Sequence, residues 1–129
     1  MQRYEIEAWL GDNHGLTDEQ IARLAATADE IGLRYPDPDD ADEREAALTV
    51  AHRLMMEEPE AVVDELAATL TAARMRETAA LAGLRQAAVD LIDPAPVQGR
   101  HAVGVRSQAG FAAAAGLDRA GVIRWLGKR

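Results

Sequence analysis

The residues best placed to do chemistry are two arginines near the carboxyl end. Arg119 and Arg124 lie in the run Ser107–Arg129, SQAGFAAAAGLDRAGVIRWLGKR. Guanidinium groups in such a setting grip phosphate or read the edge of guanine, because their fork of N–H donors matches both. For that they must be held outward on a rigid support, and the spacing of the neighbouring residues supplies one. Ala112, Gly116 and Val122 fall at i, i+4 and i+10. Two short helices meeting at a tight turn need a small residue where the backbones approach, a glycine at the turn and a β-branched residue on the inner face of the second helix.

The remaining positions agree with that arrangement. Phe111, Ala115, Leu117 and Trp125 are apolar at the other inward sites, and Leu126 widens the apolar face. Gly116 can take the left-handed conformation that ends a helix. Asp118 can accept from the free N–H groups of the helix that follows. Val122 and Trp125, three apart, share one face. Arg119, Ala120, Ile123 and Arg124 are left facing out, with Gly127, Lys128 and Arg129 closing the end.

The run GLDRAGVIRWLGKR resembles the turn and recognition helix of small bacterial helix-turn-helix proteins, including resolvase-like, transposase-like and repressor types. The resemblance covers the C-terminal motif alone. It implies double-stranded DNA as partner, with Arg119, Ala120, Ile123, Arg124, Lys128 and Arg129 toward the duplex, and Arg100 and Arg106 toward its backbone. Two residues depart from the pattern. Gly121 is a poor helix former inside the second helix, and Asp118 is acidic where a hydroxyl residue is more usual.

Charge is divided along the chain. The net charge is −8, but residues 100–129 hold six basic residues against Asp118 alone, a local +5. Residues 1–99 therefore carry −13. Screening limits charge effects to about 8–10 Å in physiological salt, so a basic module keeps its attraction for phosphate beside an acidic body. That body lowers non-specific affinity for nucleic acid, and it equally suits a basic protein partner.

Composition bounds the class. The chain has 129 residues and is 48% hydrophobic but only 4% aromatic, so its core is thin, alanine-rich and helical. No cysteine is present, which excludes disulfides and thiolate metal sites. No apolar run has the length of a membrane span, and the acidic start MQRYEIEAWL is unlike a signal peptide. These features lead to the expectation of a soluble, cytoplasmic protein. Thirteen of fourteen basic residues are arginine, which with the alanine content suggests a GC-rich bacterial genome.

The supporting elements are expected to be all-α: a helical body with one long helix (1–92), then a C-terminal helix-turn-helix (93–129). Residues 4–10 read as a first helix, broken at Gly11–Gly15. Thr17 opens a second helix with a capping box to Gln20, and Ile21, Leu24, Ala25, Ala28 and Ile31 form its inner stripe. After the turn YPDPDD, Asp39 or Asp40 caps a helix over about 41–57 with Ala47, Val50, Ala51, Leu54 and Met55 inward. Pro59 suits the first turn of a third helix that nothing clearly stops before Ile92, roughly 50 Å at 1.5 Å per residue. A loose heptad runs along it through Val63, Leu66, Leu70, Ala73, Ala80, Leu84, Ala87 and Leu91, interrupted by Glu77. The chain is expected to homodimerise along this 59–92 helix, or to use its last turns (Leu81–Ile92) as the first helix of the C-terminal module, and the two are compatible. Pro94–Gly104 reads as a loop.

Other chemistry finds little support. Counted from Asp37, the acidic run places Asp42 and Leu48 where a calcium loop needs Gly and Glu. Asp12 and His14 lack a third ligand, and His52 and Glu57 are badly spaced for a metal. There is no phosphate-binding glycine loop and no nucleophile elbow. No enzyme activity, metal or cofactor is expected. Trp9 is expected to dock the N-terminus on the body.

Overall fold

The computed structural model describes residues 1–92 and 103–127. Every regular element among them is helical: α1 (Arg3–Leu10), α2 (Asp18–Arg34), α3 (Ala41–Met56), the long α4 (Pro59–Leu91), α5 (Gln108–Ala115) and α6 (Arg119–Leu126). Two short 3-10 turns, Pro38–Asp40 and Gly104–Arg106, precede α3 and α5. None of these helices is long and apolar enough to cross a membrane. The chain divides into two compact units, Met1–Ala68 and Thr69–Arg129, with the boundary inside α4.

The first unit is built from locally signalled helices. Thr17 and Gln20 form the expected reciprocal cap: the Gln20 N–H donates to Thr17 Oγ1 (3.2 Å) and the Thr17 N–H to Gln20 Oε1 (2.9 Å). The preceding turn needs left-handed backbone at Gly11, Asn13 and Gly15. Ile6, Leu16, Ile21, Leu24, Ile31 and Leu48 make the buried core. At roughly 1.5–3 kcal/mol per large aliphatic side chain, these few residues carry most of the unit's hydrophobic stabilisation.

Long-range polar contacts then fix how the helices pack. Trp9 packs against the core, and its Nε1–H is shared between the two carboxylate oxygens of Glu45 (3.1 and 3.2 Å). The edge of its ring meets His52 at 5.8 Å between centroids. Arg44 spans the turn before α3 by donating to the carbonyls of Tyr35 (2.8 Å) and Asp37 (2.7 Å). Arg53 joins α3 to α4 by pairing with both Glu57 and Glu65.

Two expectations are corrected here, both in α3 and the turn before it. The buried residue of α3 is Leu48, packed with Ala47, Ala51 and Met55, whereas Leu54 is 44% exposed. The helix carries apolar residues around most of its circumference, so its inner face is chosen by the α2 surface rather than by its own pattern. Asp40 occupies the cap position of α3 without a side-chain cap bond, and it is Asp37 that accepts from the Asp39 N–H, closing the 3-10 turn. Along α4 the heptad positions Val63, Leu66 and Leu70 are exposed, while Val62 and Ala88 are fully buried. α4 runs through Gly83 without a break.

The second unit has its own small core of Ala88, Ile92, Phe111, Ala112 and Val122. Leu84, Ala87, Ala115, Leu117, Trp125 and Leu126 pack around it. The last turns of α4 thus form a third side for α5 and α6.

Candidate functional site

The α5–α6 pair is held by caps that lie within a few residues of one another. Ser107 Oγ accepts from the Gly110 N–H (3.0 Å) and donates to the Gly104 carbonyl (2.9 Å), tying the 3-10 turn to the start of α5. A β-carbon at position 110 would collide with that same carbonyl, so only glycine fits there. At the other end Gly116 adopts φ 67°, ψ 30°. The Leu117 N–H then reaches back to the Ala112 carbonyl (2.9 Å) and the Gly116 N–H to that of Ala113 (3.3 Å). These two bonds make a Schellman motif, which satisfies carbonyls a helix end otherwise leaves open. Asp118 accepts from the Ala120 N–H (3.2 Å) and starts α6.

α6 is two-faced. Val122 is fully buried, with Trp125 and Leu126 packed beside it. Arg119, Ala120, Ile123 and Arg124 are exposed, Ile123 at 44%. Arg106 is exposed in the 3-10 turn before α5. Among the described residues, no carboxylate forms an ion pair with Arg106, Arg119 or Arg124. The side chain of Arg124 passes over Gly121, whose missing β-carbon would stand 3.6 Å from Nη2. The expected sites Arg100, Lys128 and Arg129 lie outside the described residues.

Taken by unit, the electrostatics are opposed. Residues 69–129 carry nine basic against four acidic residues, and residues 1–68 five against eighteen. The surface of α6 presents guanidinium groups with no ion pair among the described residues, one exposed aliphatic side chain and a small-residue patch at Ala120–Gly121. Such a surface can donate paired hydrogen bonds to phosphate or to a base edge while making apolar contact beside them.

The polar residues weighed for other chemistry have structural tasks. His14 Nδ1 accepts from the Leu16 N–H (3.0 Å), closing the turn before α2. His52 packs edge-on to Trp9, with its Nε2 buried and without a hydrogen-bond partner. Glu57 is held below the ordinary carboxylate range by its hydrogen bonds from Arg53, whose own pKa is raised. Sequence reasoning did not single out Ser107, Gly104 or Gly110. Ser three residues before Gly is a weak cap signal, and the contact that makes it informative depends on the fold.

Comparison with family models, with curated proteins and with solved structures finds no match to this chain.

Proposed function

We propose that the chain binds double-stranded DNA sequence-specifically through α6, in the manner of a helix-turn-helix protein. Its role would be that of a small cytoplasmic bacterial regulator of transcription or an accessory factor of a mobile element. The observation that carries this reading is that Arg119 and Arg124 are exposed, without an ion pair among the described residues, on the face of α6 away from the buried Val122. The caps at Ser107, Gly116 and Asp118 support it by making that face rigid. In this reading Arg119, Ala120, Ile123 and Arg124 meet the major groove, and Arg106, Arg100, Lys128 and Arg129 meet phosphates. A second copy joins along α4, as dimeric readers of paired half-sites require.

Selection of bound duplexes from a random pool with the full chain tests this. A shared sequence should emerge, and it should be lost in the Arg119→Ala, Arg124→Ala double variant. Recovery of unselected sequence, or equal binding by the double variant, overturns the reading.

A second reading rests on the opposite charge of the first unit. Between α2 and α3 an open groove of about 520 Å³ is lined by Thr27, Ile31, Val50 and Leu54, with Glu30 and Glu43 against Arg34 as its charged residues. That groove suits a basic, amphipathic protein segment, and then DNA plays no part. Binding of basic peptides with no binding of duplex would favour it.

A further inference from the structure

The open face of α6 carries hydrogen-bond donors and methyl groups, and none of its side chains accepts a hydrogen bond. The helix reads RAGVIRWL. Its polar side-chain groups are the guanidiniums of Arg119 and Arg124 and the indole N–H of Trp125, all of them donors. Trp125 packs on the core of the second unit, so the two arginines are the donors left on the open face. Gly127, Lys128 and Arg129 add no acceptor side chain after the helix. Before it, Asp118 is engaged as the cap, accepting from the Ala120 N–H (3.2 Å). The other exposed side chains of α6 are the methyl of Ala120 and the branched chain of Ile123.

What such a face can read follows from the groups that each base shows in the major groove. Guanine shows two adjacent acceptors, N7 and O6, which match the fork of a guanidinium. Adenine and cytosine show an amino group, and an amino group is read by a side chain that accepts. Asn or Gln does this for adenine and Glu or Asp for cytosine. α6 has none of the four. Thymine shows a C5-methyl group, which an apolar side chain meets.

We infer that the duplex is recognised through guanine acceptors and thymine methyl groups, with the amino groups of adenine and cytosine unread. This rests on the DNA-binding reading above and names the base chemistry of that same site. Arg119 or Arg124 forks onto guanine, and Ile123 lies against a thymine methyl. The positions fit one short site. Arg119 and Ile123 are one turn apart, about 6 Å along the axis, which is less than two base steps of about 3.4 Å each. Ala120 and Arg124 repeat that spacing on the neighbouring row. The end of Arg124 turns back over Gly121, 3.6 Å from the missing β-carbon. Its donors therefore lie toward the first turn of α6, where Arg119 stands, and that is the end a recognition helix turns to the bases.

The test begins with the duplex site that the full chain selects from a random pool. That site is resynthesised with uracil for thymine, with 7-deazaguanine for guanine, or with both, each beside a scrambled duplex of the same bases. Uracil removes only the methyl groups and should lower affinity roughly fourfold for each methyl that is covered. Removing guanine N7 should lower it about fivefold or more at the contacted base. The doubly substituted site should keep little preference over its scramble. The uracil effect should shrink in Ile123→Ala, whereas an effect of uracil on the duplex alone would persist there. The 7-deazaguanine effect should vanish in Arg119→Ala or in Arg124→Ala. All three positions are exposed, so these variants should keep the helical circular dichroism. A preference that survives double substitution undiminished overturns the inference and leaves DNA binding standing. So does a uracil effect unchanged in Ile123→Ala, or a 7-deazaguanine effect unchanged in both arginine variants. If no shared site is selected at all, the DNA reading itself falls and this inference falls with it.

Discussion

The carbonyl oxygen of Gly104 occupies the space that a β-carbon on residue 110 would need. Gly110 is thus required by the closure of a 3-10 turn onto α5, and through α5 by the support of α6. Gly110→Ala should cost about 1–3 kcal/mol, the usual range for overpacking a well-filled site. Urea unfolding followed by Trp125 fluorescence, in a Trp9→Phe background, measures it. An unchanged midpoint would mean that this turn does not brace α5.

Gly121 makes the opposite case. It sits inside α6 with only the end of Arg124 near the missing β-carbon, at 3.6 Å. Nothing inside the protein requires glycine there. Gly121→Ala should stabilise the second unit by about 0.5–1 kcal/mol. If α6 lies against DNA, the same methyl group should weaken duplex binding even as stability rises. A gain in stability with unchanged affinity would set this end of α6 away from the duplex.

Arg124 separates two kinds of contact. A bidentate contact to guanine predicts that Arg124→Ala lowers specific affinity by about 1–3 kcal/mol and relaxes choice at one base pair. A phosphate contact predicts an equal loss for all sequences and a shallower salt dependence. Titration of specific and scrambled duplexes at several salt concentrations distinguishes them, and no loss of either kind counts against the DNA reading.

The core of the first unit can be checked at two leucines six residues apart. Leu48→Ala removes a buried side chain and should cost about 2–5 kcal/mol. Leu54→Ala, at a position 44% exposed, should cost much less. Thermal unfolding of both variants gives the comparison, and equal losses would contradict the assigned inner face of α3.

The Arg53–Glu57 pair sets a direction for pH dependence. The pKa of Glu57 is lowered in the folded chain, chiefly by hydrogen bonds from Arg53. The folded state therefore binds that proton less readily than the unfolded state. Its contribution is present above the ordinary glutamate value of about 4.3 and is lost as pH falls through the lowered folded value. Glu57→Gln should flatten that acid-side loss slightly, because the pair is largely solvent-accessible. Stability curves between pH 2 and 7 for both proteins test it, and parallel curves would remove Glu57 from the account.

Much of the fold was legible because its signals are local. Thr17 with Gln20, Pro59, Gly116 and Asp118 each act on backbone groups within about four residues, so their meaning does not depend on what packs where. The inward and outward faces of α6 followed from helical spacing alone.

The tertiary structure decided what local periodicity leaves degenerate. An alanine-rich helix such as α3 offers several apolar faces, and contact with α2 chose Leu48 over Leu54. The apolar positions of α4 recur along its whole length, yet Val62, Ala88 and Ile92 are buried while Val63, Leu66 and Leu70 stay exposed. Trp9 and Glu45, 36 residues apart, and Gly104 and Gly110 across a turn, acquire their roles only when chain segments meet. Backbone caps depend on neighbours along the chain. Burial depends on neighbours in space, and those exist only after folding.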